Sequence, residues 1–267
     1  MALEGPQLPL AAPRVPLDGY AELSSDDMLK EGGSRPAILL LASDFEEYYC
    51  KGPSLMPDHP YLGSNEWIVG CLAQEMAIPI RAFDFIRWKE SVFFGSRVLP
   101  NDRKMTGLSP QNWPRFVNAP AVAYPVVCLD IWTLNTDRHD QNYLGRVLGK
   151  DKGIFMVNDH DLALLPQGRT PEQLAEFTNV PVQDALVRSA VLRNAICDWA
   201  ELTASIDRVR AVDDAQLATI VGQVPDEWLD DHAKTLMVTF LANRRDHLNE
   251  LFIHSHPFFP NLPEEAP

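Results

Sequence analysis

Cysteine is scarce in this chain of 267 residues, and its few copies are widely separated. No two of them form a CxxC pair, and no cysteine–histidine spacing is typical of zinc coordination. The sequence therefore gives no support to a structural zinc site. Free cysteine is usually buried, so we expect four buried thiols in a reducing compartment: Cys50, Cys71, Cys128 and Cys197.

Long apolar runs are also missing. None approaches the roughly 20 residues that a membrane-crossing helix needs. The longest runs, 37–41 and 121–129, are short enough to be buried strands or helix segments. The N-terminus has no basic stretch followed by an apolar one, so no secretory signal is evident. With 46% apolar residues the chain can still bury a sizeable core, and we expect a soluble cytoplasmic protein.

Positive charge is in deficit. The chain has 23 lysines and arginines against 37 aspartates and glutamates, which gives a formal net charge of −14. Binding to a nucleic-acid backbone requires many cationic contacts, so a nucleic-acid partner bound by this chain alone is not expected. An anionic membrane surface is disfavoured for the same reason. A small phosphorylated ligand is compatible with this charge, because a few cations and a metal ion suffice locally.

The chain divides by composition into three parts. Residues 1–18 are rich in proline and small residues, which predicts an extended lead-in. Residues 19–120 are strand-rich with one helix, and residues 121–267 are mostly helical. We therefore predict an α+β protein with a small β-rich N-lobe and a mostly helical C-lobe around a cleft.

Strand and helix patterns place the elements of the N-lobe. The apolar run 37–41 and the run 46–51 flank a Ser-Asp turn, which predicts a hairpin that ends in Lys51. A helix is predicted over 64–78, capped by Ser64 or Asn65. Two more strands and a polar loop are predicted over 80–88, 91–99 and 100–120.

The C-lobe pattern begins with an apolar helix over 122–134, and a short strand is predicted over 154–158. Three further helices are predicted over 171–177, 182–207 and 225–254. In the last of these, Pro225 marks the start, and large apolar residues at helical spacing form the inward face.

A dense polar cluster follows the apolar helix. Asn142 stands five residues after Asp137, and Asp159 ends the predicted strand seventeen residues further on. Phosphoryl transfer uses one carboxylate to orient the acceptor hydroxyl, and an amide oxygen with a second carboxylate to hold magnesium. Asp, Asn and His are also common in turns. Asp159 at a strand end favours a functional site over a purely structural loop.

The pattern resembles the catalytic core of the HipA-like kinases. The similarity lies in residues 135–142 (NTDRHDQN) and in the strand end 158–160 (NDH), a local pattern that those kinases share with the phosphoinositide kinases. Upstream, residues 32–36 (GGSRP) resemble the phosphate loop of the family, and Lys51 and Glu66 stand where the nucleotide-contacting lysine and its acidic partner are expected. The resemblance covers about residues 30–160 by motif, and it implies a protein-kinase-like fold, ATP and Mg²⁺.

The resemblance also implies roles for individual residues. Asp137 would be the catalytic base or would orient the hydroxyl, and Asn142 and Asp159 would bind magnesium. Lys51 would contact the α- and β-phosphates, and Glu66 would hold that lysine. Main-chain N–H groups of the phosphate loop would cover the phosphates, as glycine permits; this loop comprises Gly32, Gly33 and Ser34.

Three more residues have subsidiary roles by the same resemblance. Arg138 and His139 would brace the catalytic loop, and Asp161 would be a second metal ligand. In HipA toxins a serine of the phosphate loop is autophosphorylated, and Ser34 is the matching position. Phosphate on Ser34 would occupy the place of the ATP phosphates.

Several functions are compatible with the sequence. The first is a kinase that phosphorylates a serine or threonine of a protein, or a hydroxylated small molecule. The alternatives are a pseudokinase that binds nucleotide without turnover, and a lipid kinase, which the acidic charge and the lack of a basic amphipathic segment disfavour. A metal-dependent hydrolase is the fourth, with four candidate ligands: Asp137, His139, Asp140 and Asp159.

Overall fold

The fold is a mixed α/β arrangement in which a β-rich region precedes a largely helical one. The computed structural model describes residues 15–23, 36–99, 119–140, 142–147, 153–181 and 189–264. Within these ranges no helix is both long enough and apolar enough to span a bilayer. The predicted loop 100–120 lies outside them, except for its last two residues, which begin a helix.

A closed five-stranded barrel forms the β-rich region. Its strands are β1 (Leu17–Leu23), β2 (Ile38–Ala42), β3 (Glu47–Lys51), β4 (Phe83–Trp88) and β5 (Ser91–Arg97). Their order is β1-β2-β3-β5-β4, and a short parallel pairing between β1 and β4 closes the barrel. β1 begins at Leu17, inside the segment 1–18 for which an extended lead-in is predicted, and residues 1–14 are not described.

The hairpin of β2 and β3 is confirmed. Leu39 pairs with Tyr49 and Leu41 with Glu47 in an antiparallel register. Alternate residues of each strand point into the barrel, so Leu40 is fully buried. This small core fixes the course of β3, and with it the position of Lys51 at the end of the strand.

Helix α1 (Leu62–Glu75) packs against the barrel and is buried over most of its surface. A Cβ on Gly63 would lie 2.7 Å from the Trp228 ring, so glycine allows the close approach of the two segments. The predicted capping by Ser64 or Asn65 is wrong. The Ser64 hydroxyl donates to the carbonyl of Tyr61, and the Asn65 side chain reaches residues far along the chain.

Helix α2 (Ala119–Trp132) matches the predicted apolar helix, and its described side chains are almost all buried. It leads to a two-stranded antiparallel hairpin of β6 (Tyr143–Val147) and β7 (Gly153–Val157). β7 was predicted and β6 was not. The amide of Val157 donates to the carbonyl of Pro79, so the end of β7 lies beside the chain that follows α1.

The remaining helices are α3 (Ala190–Ala195), α4 (Trp199–Arg210), α5 (Asp214–Gly222), α6 (Asp231–Asp246) and α7 (Leu248–Ser255). Two 3-10 helices accompany them, at Pro171–Phe177 and His256–Phe258. The segment 171–177 was predicted as a helix, and the structure shows that it is a 3-10 helix.

Two helix predictions in this region are wrong in extent. The predicted helix 182–207 is broken before α4, because the Asp198 side chain accepts from the amide of Ala200 and caps a new helix; residues 182–188 are not described. The predicted helix 225–254 begins only at α6, because Asp230 caps it by accepting from the amide of Ala233. α5 was not predicted.

A continuous apolar core joins α1, α2 and the C-terminal helices. Cys50 and Cys128 are buried and Cys71 is partly buried, as a free thiol in a core should be. Cys197 is exposed, so the prediction of four buried thiols is wrong for this residue.

Candidate active site

Lys51, the last residue of β3, contacts three carboxylates. Its Nζ lies 2.9 Å from Oε1 of Glu66 and 2.8 Å from Oδ1 of Asp159. Oδ2 of Asp161 lies further away, at 3.8 Å. Three distant parts of the chain, β3, α1 and the segment after β7, therefore meet at one ammonium group.

The elements explain how these side chains converge. Lys51 follows Cys50, whose side chain fills the barrel, so the lysine points to the opposite face of β3. Glu66 lies in the N-terminal part of α1, which packs over that face. Asp159 comes two residues after β7 and has a positive φ of 63°, a left-handed conformation that non-glycine residues rarely adopt. That turn directs the chain back toward α1.

Burial and charge act against each other in this cluster. Burial lowers the pKa of Lys51, but the carboxylates of Asp159, Glu66 and Asp161 outweigh it and the pKa is raised. Burial raises the pKa of Glu66 to about 7, although the Lys51 ammonium opposes the change. The lysine therefore stays protonated at neutral pH, while Glu66 is close to its titration point.

Glu66, Asp159 and Asp161 offer carboxylate oxygens that all lie within 4.8 Å of one another. In the described part of the chain this is the one group of three or more acidic, histidine or cysteine side chains close enough to share an ion. It does not contain Asp137, His139 or Asp140. The ligand set that the hydrolase hypothesis requires is therefore not assembled there.

Arg138 connects the loop 135–142 to the end of β7. Its guanidinium is fully buried and makes a two-pronged ion pair with Asp130 of α2, with Nε–Oδ2 and Nη2–Oδ1 distances of 2.9 Å. It also donates to the carbonyl of Asn158 at 3.0 Å and contacts Nδ1 of His160 at 3.1 Å. The predicted bracing of the loop by Arg138 agrees with these contacts.

The contact with Arg138 fixes the protonation of His160. Arginine only donates, so Nδ1 of His160 accepts and the ring carries its proton on Nε2. Burial and the Arg138 charge both lower the pKa of His160 well below its ordinary value. The ring is therefore neutral and acts as a structural acceptor beside Asp159.

Asp137 and Asn142 are joined within the loop 135–142. The amide nitrogen of Asn142 donates to the main-chain carbonyl of Asp137 at 2.6 Å, which sets the orientation of the carboxamide. The main-chain amide of Asp137 donates to Oδ1 of Asn135 at 3.1 Å. The main-chain carbonyl of Asn142 accepts from the amide of Asn158 at 3.0 Å. The loop is thus tied to the strand end that carries Asp159.

His139 lies beside the predicted base. Its Nε2 is 3.7 Å from Oδ2 of Asp137, and both side chains are partly exposed. This distance is too long for a good hydrogen bond.

The side chain of Asn65 makes a second connection between α1 and the chain after β7. Its Nδ2 donates to the carbonyls of Asp161 and Leu165, both at 2.9 Å, and its Oδ1 accepts from the amide of Leu165 at 3.2 Å. Beside it, Oε2 of Glu66 accepts from the amide of His160 at 3.0 Å.

The structure brings together Lys51, Glu66 and Asp159, and links Asp137 to Asn142. The phosphate-loop residues lie outside the described residues: Gly32, Gly33 and Ser34. Sequence reasoning missed Asp130 and Asn65. A single aspartate inside the apolar helix α2 is a usable signal for a buried ion pair, since an unpaired charge is not tolerated there. The contacts of Asn65 with distant parts of the same chain leave no comparable signal in the sequence.

The donor set fits a hard divalent cation. Magnesium prefers oxygen ligands, and Asn142 offers an amide oxygen while Asp159 offers a carboxylate. The Asp159 side chain is 32% exposed, against 4% for Glu66 and 3% for Asp161, so Asp159 is the carboxylate most accessible to a ligand.

Comparison with solved structures identifies the fold. The proinflammatory kinase CtkA of Helicobacter pylori matches with a TM-score of 0.64 at 13% sequence identity, over 91% of this chain and 98% of that one. A chain of the Shewanella oneidensis MR-1 toxin–antitoxin complex of HipA, HipB and operator DNA matches with a TM-score of 0.42 at 12% identity, over 87% of this chain and 66% of that one.

No protein-family model matches the sequence, and no curated protein matches it. The similarity to CtkA covers nearly the full length of both chains and shows that this chain has the fold of that kinase. The predicted resemblance to HipA-like kinases is confirmed at the level of the fold.

Proposed function

We propose that this chain is an ATP-dependent kinase that transfers the γ-phosphate of ATP to a hydroxyl group with Mg²⁺. The observation that carries the proposal is the meeting of Lys51, Glu66 and Asp159 in one cluster. A lysine held by a helix glutamate, next to an aspartate at a strand end, is the arrangement that protein kinases use. The barrel region would form the N-lobe (19–120) and the helical region the C-lobe (121–267).

Lys51 binds the α- and β-phosphates in this proposal, and Glu66 holds its ammonium in place. The pair is supported by the 2.9 Å contact between Nζ and Oε1. Lys51 remains charged because three carboxylates surround it. By the sequence resemblance, the main-chain amides of residues 32–34, which lie outside the described residues, would cover the phosphates.

Asp137 orients the acceptor hydroxyl and takes its proton, and Asn142 and Asp159 supply oxygen ligands to the metal. Bound Mg²⁺ would neutralise charge on the phosphates during transfer. The hydrogen bond from Asn142 to the carbonyl of Asp137 keeps the base and the amide ligand in register. Arg138 holds both to the strand end before Asp159.

The acceptor belongs to the class of hydroxyl compounds, either a serine or threonine of a protein or a small molecule. The net charge of −14 disfavours a nucleic acid or an anionic membrane as the substrate surface. None of the four cysteines forms a disulfide, which is compatible with a reducing compartment such as the cytoplasm.

The test is transfer of the γ-phosphate. Wild-type protein is incubated with Mg²⁺ and ATP labelled in the γ-position, and ADP, inorganic phosphate and labelled protein are quantified. We expect turnover or autophosphorylation that Asp137→Ala and Asp159→Asn each abolish. Nucleotide binding without any transfer would favour the pseudokinase alternative. Mass spectrometry of the labelled protein tests Ser34 as the acceptor.

A further inference from the structure

The contacts of α1 extend beyond the Lys51–Glu66 pair. We propose that Asn65 is a positioning residue that locks α1 to the post-β7 segment (residues 158–165), so that Lys51 and Glu66 stay in register with Asp159. The lock is a feature of the protein itself. Only the purpose of the register rests on the proposed kinase function.

Asn65 uses its carboxamide fully in this contact. Both N–H groups donate, one to the carbonyl of Asp161 and one to that of Leu165, and the oxygen accepts from the amide of Leu165. The side chain is fully buried, so these main-chain groups have no water to replace it. A carboxylate at this position could not donate to the two carbonyls, and an alanine could make none of the three bonds.

The neighbouring residue of the helix grips the same segment at another point. The two carboxylate oxygens of Glu66 accept hydrogen bonds from different groups, one from the Lys51 ammonium and one from the main-chain amide of His160. Asn65 and Glu66 together hold the segment at residues 160, 161 and 165. α1 and the post-β7 segment therefore share four hydrogen bonds.

The conformation of Asp159 gives the lock its importance. Its positive φ of 63° is unfavourable for a side chain with a Cβ, and such a conformation persists only where surrounding contacts hold it. The bonds to Asn65 and Glu66 lie directly after Asp159 in the chain. Loss of the Asn65 contacts would release this turn and withdraw the Asp159 carboxylate from Lys51.

The lock also predicts how α1 moves. A displacement of α1 relative to the post-β7 segment would break all four hydrogen bonds. The helix and the post-β7 segment should consequently move as one body. Glu66 and Asp159 are then already held together in the free protein, before nucleotide binds.

The experiment compares Asn65→Ala with Ser64→Ala. Ser64 is the adjacent residue, is equally buried, and loses only a bond to the carbonyl of Tyr61 within the same helix region. Amide hydrogen exchange is followed at His160 and Leu165 in the free protein, and the affinity for Mg²⁺ with a non-hydrolysable ATP analogue is measured by calorimetry. Urea unfolding supplies the global stability for correction.

We expect Asn65→Ala to accelerate exchange about tenfold at both His160 and Leu165, and to weaken analogue binding about tenfold, beyond what global stability explains. Ser64→Ala should stay within about twofold of wild type on each measurement. Faster exchange at Leu165 alone, with wild-type exchange at His160 and wild-type affinity, would overturn the proposal. It would make Asn65 a local core residue.

Two further outcomes are also decisive. If wild type binds no analogue, the proposed function fails, and the exchange data still test the lock. If Asn65→Ala does not fold, native-state exchange of wild type in low urea replaces it. The amides of His160 and Leu165 should then open with the same urea dependence. Separate openings would refute a common body.

Discussion

Replacing Lys51 by methionine removes the cation that contacts the carboxylates of Glu66, Asp159 and Asp161. Methionine keeps an unbranched chain of similar length, so the change isolates the charge. Glu66 and Asp161 are 4% and 3% exposed, so water cannot take over the role of the ammonium. We expect the variant to fold with reduced stability and to lose nucleotide binding.

The magnitude follows from burial. Breaking a buried ion pair by removing one partner costs roughly 3–5 kcal/mol. Asp159 is 32% exposed and can turn toward water, so we expect the lower end, about 3 kcal/mol at pH 8. The cost should shrink toward pH 5, because Glu66 is then protonated in the variant and no longer needs a counter-charge.

A double-mutant cycle with Glu66→Gln assigns this cost to the pair. Glutamine retains an acceptor for the amide of His160 and removes the charge that faces Lys51. Urea unfolding at pH 8, followed by tryptophan fluorescence, gives the stability of wild type, both single variants and the double variant. We expect a coupling energy of at least about 1 kcal/mol. Strictly additive effects would refute the account of the cluster.

Three further predictions use other features. Burial raises the pKa of Glu66 from 4.5 to about 7, so between these pH values the native state holds a proton that the unfolded state releases. The free energy of unfolding of wild type should therefore fall relative to Glu66→Gln by about 3 kcal/mol as the pH rises from 4.5 to above 7. Urea unfolding across this pH range measures the difference. Arg244 donates to five main-chain carbonyls, including that of Trp132 at the end of α2. Arg244→Met should therefore lower the free energy of unfolding, measured by thermal unfolding, by about 3 kcal/mol or more. The control is Arg245→Met, at a more exposed position, which should cost less than about 1 kcal/mol. Gly63→Ala should destabilise the protein by about 1–3 kcal/mol, since the new Cβ would lie 2.7 Å from the rigid Trp228 ring. Gly168→Ala is the control, because a Cβ there would meet open space. Its φ of 84° adds a smaller cost of its own.

Much of the site follows from local sequence patterns. Asp137 and Asn142 form a short motif, and Asp159 stands at the end of an apolar strand, a spacing that is typical of phosphoryl transfer. Their individual roles remain predictions from the resemblance. The hairpin pattern predicts where Lys51 lies, and the helix pattern where Glu66 lies. Their roles were implied only by the resemblance to the HipA-like kinases, and the structure places the two side chains in contact.

The missed features depend on contacts between distant segments. Asn65 was interpreted as a helix cap because asparagine favours that position, but its partners lie about 100 residues away and tertiary contacts prevail over local preference. The helix breaks do have a signal in the sequence. Asp198 and Asp230 each precede a run of helix formers, and such residues mark new helix starts.

The pairing of β6 with β7 could not be anticipated from pattern. β6 is short and contains a glycine and an arginine, so it lacks a strand signature. Its partner β7 is apolar and was recognised for that reason. The hairpin places Asn142 beside the residues that lead to Asp159, because Tyr143 pairs with Val157 and the amide of Asn158 donates to the carbonyl of Asn142.

The most direct test of the kinase account is calorimetric titration of the full chain with ATP, once with Mg²⁺ and once with EDTA. The account predicts saturable one-site binding that is at least about tenfold tighter with Mg²⁺, a difference of about 1.4 kcal/mol. Asp159→Asn should remove most of that difference. The absence of ATP binding under both conditions would contradict the account and return the loop from Asn135 to Asn142 to a structural role.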